Sequence, residues 1–401
     1  MENLIPKRFI QVSLVFFLIA AIMGLLLRVQ MVSPLPGIRY KFLLHGHSHV
    51  ILLGWVFNSM LGLTLFRMKQ DGHSASTSFW RILFYAFQVS VLGMMIFFPL
   101  QGYAAWSIVF STLHILLSLV LFVYWIHKKI LFSKGYSLFS WAWIFFILST
   151  MGPLALGVII SKGLAGSTTY YLAIYFYLHF LYNGYFMCML FWFWENRLSS
   201  SGLSLRFWKW IKILLVVSVL TGFALSTLWI FPPQWVYVLG WITGVLQLFI
   251  LGLLAIQWKT LHSWFKITDT TGKWIMTVFS IALVLKFVLQ LVSASKVVAY
   301  VAYRTPYYII AYIHLVFIGL VSFALLFLIY DSGKIIRSKW LNWGLGLISV
   351  GFIGSELLLI AQPIGITNYY EWLLSASILL PVGLLLMVPQ LLKIDLTKSS
   401  L

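Results

Sequence analysis

The sequence predicts an all-α, polytopic membrane protein of twelve transmembrane helices. Hydrophobic residues make up 62% of the 401-residue chain and charged residues only 9%. The mean hydropathy is +0.99. The chain divides almost completely into apolar runs of about 20 residues, the length at which a helix crosses a bilayer core. A water-soluble domain cannot hide that much apolar surface. Little is left for an extramembrane part, so 1–401 reads as a single transmembrane domain whose main partner is the lipid bilayer.

The first run, 9–28, follows Pro6-Lys7-Arg8 as a signal peptide would. Its length, and the lack of a small-residue cleavage site after it, favour a retained span. The second run, 44–66, opens on LLHGHSHVILLGW and carries His45, His47 and His49. The third and fourth are 80–102 and 104–126, with His114 in the latter. The fifth, 138–160, contains Pro153, and the sixth, 170–194, carries His179. The seventh and eighth, 207–230 and 235–257, flank Pro232-Pro233. The ninth, 274–298, holds Lys286; the tenth, 307–330, holds His314. The eleventh, 340–361, holds Gly354 and Glu356, and 371–392 is the twelfth. Turn-forming tracts such as Ser33-Pro34-Leu35-Pro36-Gly37 and Ser199-Ser200-Ser201-Gly202 fall between the runs. Trp141, Trp143, Tyr300, Tyr303, Tyr307 and Tyr308 sit near helix ends, as aromatic belts do. No internal repeat stands out.

The formal charge is +19. With a cytoplasmic N-terminus, the clusters Lys128-Lys129-Lys134, Arg206-Lys209-Lys212, Lys259-Lys266-Lys273 and Lys334-Arg337-Lys339 all lie in or beside loops that follow even-numbered helices. That is the positive-inside pattern. The basicity therefore sets topology and does not call for nucleic acid as a partner. The expected location is a bacterial inner membrane with both termini in the cytoplasm. The single cysteine, Cys188, excludes an intrachain disulfide and covalent c-type heme attachment.

Under this topology the even-numbered helices enter from outside. His45, His47 and His49 fall in the first turns of helix 2, and His179, His314 and His114 lie roughly 10–15 Å below the outer boundary at 1.5 Å per residue. His73, His262 and His127 fall in loops or at a helix end and read as solvated. Ionisable groups inside a membrane are costly and mark function. Neutral imidazole is the commonest metal ligand and suits heme iron. One intramembrane histidine reads first as an interhelical hydrogen bond; a layer of them at similar depth points to a cofactor. His45 and His49 share a helix face while His47 points about 160° away, so the three cannot share one iron.

Twelve spans with histidines high on helices 2, 6 and 10 resemble the catalytic subunit of heme-copper oxidases and nitric oxide reductases, subunit I in the oxidases. His47-Ser48-His49-Val50-Ile51-Leu52-Leu53-Gly54, followed by Val56 and Asn58, is similar to the family's low-spin heme segment. The resemblance assigns the ligand to His47, and a two-residue shift would give His45 or His49. His314 with Gly319 and Phe323 resembles the second low-spin ligand segment on helix 10. Tyr177-Leu178-His179-Phe180-Leu181-Tyr182-Asn183-Gly184 resembles the segment supplying a ligand to copper B or non-heme iron. The chain departs from the family at three places. Tyr312 stands where the family has its high-spin heme histidine, helix 7 has no histidine pair, and Asn183 replaces the reductases' glutamate.

The resemblance implies a b-type heme held by His314 and a helix 2 histidine. It also implies copper or non-heme iron at His179, and an electron-donor subunit or a quinol as partner; His114 is a further metal-ligand candidate from the intramembrane histidine layer, in an unconventional site with His179 and Tyr312. Arg39, Lys41 and Arg304 stand at the entries of helices 2 and 10, where they can pair with heme propionates or anchor the interface. Lys286 and Glu356 read either as a buried pair or as a proton path. The expected function is respiratory electron transfer, or chemistry or sensing of a diatomic gas such as O2 or NO. The alternatives are an active terminal oxidase or nitric oxide reductase with an unconventional metal site, and a transporter or metal permease built on the histidine layer.

Overall fold

The computed structural model describes residues 4–73, 77–333 and 338–394. Among the described residues there is no strand, and twelve long helices carry most of the chain. They are α1 (Leu4–Val32), α2 (Tyr40–Gln70), α3 (Thr77–Gln101), α4 (Ala105–His127), α5 (Ser137–Ser161), α6 (168–200), α7 (Trp208–Ile230), α8 (Gln234–Ile256), α9 (Thr270–Ser293), α10 (Pro306–Ser332), α11 (Lys339–Ile364) and α12 (Tyr369–Leu391). All but α6 are long and apolar enough to cross a membrane. The protein is therefore a polytopic helical membrane protein. The helix α6 runs unbroken through the expected sixth span, 170–194, but six tyrosines, His179 and Asn183 lower its hydropathy. Two short amphipathic helices, Trp258–Ile267 and Lys296–Arg304, link α8 to α9 and α9 to α10.

Local chemistry sets several of the boundaries. Ser167, Asp269 and Ser338 cap α6, α9 and α11 by accepting from the backbone N–H three residues on. Pro306 sits in the first turn of α10, where its missing N–H costs nothing. Gly102 turns the chain between α3 and α4 at φ 65°, and the Phe42 ring fills the space where a side chain would stand.

The chain groups into two compact units: Met1–Val120 with Phe317–Leu401, and Leu121–Val316. In the first, α1 packs against α2 and α12, and α11 packs against α12. In the second, α5 packs against α6, and α8 against α7 and α9.

A threefold internal repeat, missed in the bare sequence, becomes plain from the element positions. The helices α1, α5 and α9 each open a series of four long helices. The second helix of each series carries the same motif, His followed five residues later by Gly: His49 and Gly54, His179 and Gly184, His314 and Gly319. At each motif the helix widens into an eight-residue π-helical stretch: Val50–Phe57, His179–Phe186 and Leu315–Ser322. A π-helix bonds residue i to i+5, the spacing that separates the histidine from its glycine.

The packing repeats too. A Cβ on Gly54 would lie 2.9 Å from Phe16 Cγ, and a Cβ on Gly184 would lie 2.9 Å from Phe145 Cγ. Phe17 stacks on Trp55 at 4.5 Å, and Phe146 meets Tyr185 at 4.9 Å. Hence the first two helices of the first two series touch through matching positions.

These second helices are the buried ones. Over their most apolar stretches α2 and α10 are 89% and 78% buried, against 22–50% for the other nine spans. In α6 every residue from 179 to 194 except Tyr182 is buried. A helix apolar on every side belongs inside a bundle. In each of the three, burial becomes nearly continuous where the π-helical stretch begins, leaving His47, His49 and His314 half-buried and His179 fully buried.

Gly54→Val and Gly184→Val should each lower the thermal unfolding midpoint, at a cost of about 1–3 kcal/mol for overpacking. Gly157→Ala, whose new methyl meets nothing within 4 Å, should leave the midpoint unchanged. Equal effects at all three positions would contradict the close packing described.

Candidate functional site

In the first unit the α2 histidines divide between two faces. His47 turns toward α1, where its Nδ1 lies 2.9 Å from the Ala20 carbonyl oxygen. Gly24 makes that approach possible: a Cβ there would stand 3.1 Å from His47 Cε1. His45 and His49 turn the other way. The His49 ring stacks on Phe98 at 4.1 Å, and His45 meets Tyr103 at 4.7 Å. His49 Nδ1 lies 2.8 Å from the His45 carbonyl oxygen one turn back. A carbonyl only accepts, so both imidazoles donate from Nδ1 and carry their lone pair on Nε2. A metal-bound histidine is usually held in this state, its other ring nitrogen donating to a backbone carbonyl.

His114 is 1% exposed, between the rings of Phe57 and Phe87. Its Nδ1 lies 3.0 Å from the Ser90 hydroxyl, whose own hydrogen goes to the Phe87 carbonyl at 2.7 Å. The imidazole must therefore donate from Nδ1, and its buried Nε2 lone pair has no hydrogen-bond partner. It lies within electrostatic range of His49. Two buried hydrogen bonds complete the α2 environment. Trp55 Nε1 donates to Ser322 Oγ at 2.8 Å, which joins α2 to the lower half of α10, and Asn58 donates to Gln88 at 3.2 Å.

The second unit holds His179, His314 and Arg304. His179 has the opposite tautomer: Nε2 donates to the Val219 carbonyl at 2.8 Å, and Nδ1 accepts from Asn183 Nδ2 at 3.2 Å. Gly222 gives the ring its room, since a Cβ there would lie 3.1 Å from Cε1. With both nitrogens engaged, His179 offers a metal no lone pair unless one of these bonds breaks. His314 is half-buried at the head of its π-helical stretch, and the hydroxyl of Tyr312 makes no hydrogen bond. Arg39 and Arg304 are exposed, each guanidinium over a nearby ring, Phe42 at 5.1 Å and Tyr300 at 5.7 Å. Lys286 donates to Gln290 Oε1 at 2.7 Å. Glu356 lies in the first unit, with Arg28 as a charged neighbour.

Among the described residues no three or more of His, Cys, Asp and Glu converge in a manner that could hold a metal ion. The α2 imidazoles suit a heme iron, because their tautomer is fixed and they keep accessible surface. The residues around His179 do not suit copper or non-heme iron. Sequence reading named every histidine here, and His45 and Asn183 among their partners, but not Ala20, Val219 or Ser90. Ala20, Val219 and Ser90 act through a backbone carbonyl or a hydroxyl, which carry no motif; the paired glycines 24 and 222 were the only readable signal. No protein-family model matches the chain, and no curated protein sequence matches it.

Histidine-selective 15N spectra of heme-free protein should show His47, His49 and His114 protonated at Nδ1 and His179 at Nε2. His179 protonated at Nδ1 would contradict the site geometry.

Proposed function

We propose that the protein is a divergent relative of heme-copper oxidase subunit I that holds one b-type heme between α2 and α10. In this reading α6 is the twelfth span, both termini lie in the cytoplasm, and the membrane is a bacterial inner membrane. The carrying observation is the tautomer of the α2 imidazoles, Nδ1 tied to carbonyls and the lone pair on Nε2, in a helix joined to α10 by the Trp55–Ser322 hydrogen bond. His49 stands six residues before one end of that bond and His314 eight before the other.

His314 is the proposed ligand from α10. From α2 it is His47, the position the resemblance selects, or His49, whose ring lies on the face that carries Phe98 and His114. A heme so ligated supplies one-electron transfer. The chain's own residues orient and seal it: Ala20 and His45 carbonyls fix the imidazoles, and the Trp55 and Phe57 side chains keep water from the buried π-helical turn. Arg39 and Arg304 are placed to meet carboxylates at the entries of the two helices. An electron-donor subunit or a quinol would supply the electron. The fully engaged nitrogens of His179 weigh against the copper or non-heme iron of an active oxidase or reductase, so no oxygen- or nitric-oxide-reducing step is assigned.

Protein purified from heme-replete cells should contain about one heme b per chain by pyridine hemochrome, in line with one low-spin ligand pair. His314→Ala and one of His47→Ala and His49→Ala should lose it, while His179→Ala keeps it. A colourless wild type, or equal heme in all four variants, would refute the proposal.

A further inference from the structure

Beside His179 lies a small cavity that the heme reading does not use. Asn183 of α6, Ser218 of α7, Gln247 of α8, and Lys286 and Gln290 of α9 line it with His179. The cavity volume is about 10 Å³, room for one water molecule. Met187, Leu215, Val219 and Phe287 complete the lining. Lys286 is 1% exposed, Asn183 and Gln247 are each 4% exposed, and no carboxylate lines the cavity.

Several hydrogen-bonding valences on this wall are unmet, and three of them belong to deeply buried residues on three different helices. Lys286 Nζ has its one hydrogen bond to Gln290 and at least one more hydrogen to give. Asn183 Oδ1 and Gln247 Oε1 are buried acceptors without a donor. A guest that serves these three atoms accepts one hydrogen bond and donates two. Water does both, and buried waters commonly make about three such bonds. Dioxygen, nitric oxide, carbon monoxide and halides donate none, so they would leave both amide oxygens bare, each at a desolvation cost. A copper, zinc or iron ion would face a lysine, a histidine with no lone pair to spare, and only two neutral amide oxygens.

We propose that this cavity is a binding site for one water molecule, bridging Lys286 to Asn183 and Gln247, and that it is closed to diatomic gases and metal ions. Thus the place where the resemblance would locate gas-reducing chemistry is a protic, metal-free site in this chain. The inference stands on the second unit alone and does not depend on the heme.

Two measurements on the full-length protein test it. A crystal structure that resolves waters, from crystals pressurised with xenon and others soaked in copper or zinc, should show one water within about 3.2 Å of all three atoms. It should show neither xenon nor metal in the cavity. Xenon density there, a metal bonded to His179, or a cavity with no water would overturn the proposal. Lys286→Met and Gln247→Leu supply the second arm. A shared water couples them, so the double variant's midpoint shift should differ from the sum of the single shifts. Additive shifts would overturn the bridge.

Discussion

A helix with neighbours on every side, inside a bilayer, has no water to complete its polar groups. The second helix of each four-helix series is under this constraint, and most of the architecture follows from it. Its backbone must be bonded within the helix, which the π-helical stretches achieve while still shifting the phase of the side chains. Its polar side chains must find partners on adjoining helices. They do so pairwise: Trp55 with Ser322, Asn58 with Gln88, Ser59 with Ser13 at 2.7 Å, and His179 with the Val219 carbonyl. Close approach needs missing side chains, which is why Gly24, Gly54, Gly184 and Gly222 each face a ring.

The same constraint gives the histidines different chemistry at equivalent positions. His49 and His179 are counterparts in the repeat, yet one donates from Nδ1 along its own helix and the other donates from Nε2 across to α7. The difference lies in what stands nearby. Asn183, four residues after His179, donates to its Nδ1, whereas the residue four after His49 is Leu53, which cannot. His49 is left with an uncommitted nitrogen and His179 with none. One repeat leaves a ring nitrogen open and another engages both, with Lys286 and its amides set around it.

Fold class was legible in the sequence because hydropathy and charge bias act over whole segments. Eleven of the twelve expected runs coincide with helices that can span a membrane. The exception, α6, carries six tyrosines, His179 and Asn183 in a helix that is nonetheless buried from 179 to 194 except at Tyr182, and segment hydropathy cannot register burial inside a bundle. The repeat was hidden for a related reason. Only a histidine and a glycine persist at its core, and the π-helical turns that make their spacing meaningful exist only in three dimensions. The opposite facing of His47 relative to His45 and His49 followed from helical periodicity alone. Which nitrogen each ring offers did not, because the answer depends on carbonyls of Ala20, His45 and Val219, donated by residues of no distinctive chemistry.

The central claim is that an imidazole of α2 and His314 of α10 bind one iron from opposite sides. Electron paramagnetic resonance of the oxidised, purified protein, joined with near-infrared magnetic circular dichroism, reads the two axial ligands directly. The account predicts a six-coordinate low-spin ferric heme with two nitrogen ligands of the bis-imidazole type. A high-spin spectrum, a single-histidine heme, or protein with no heme signal after growth with ample iron and heme would contradict it.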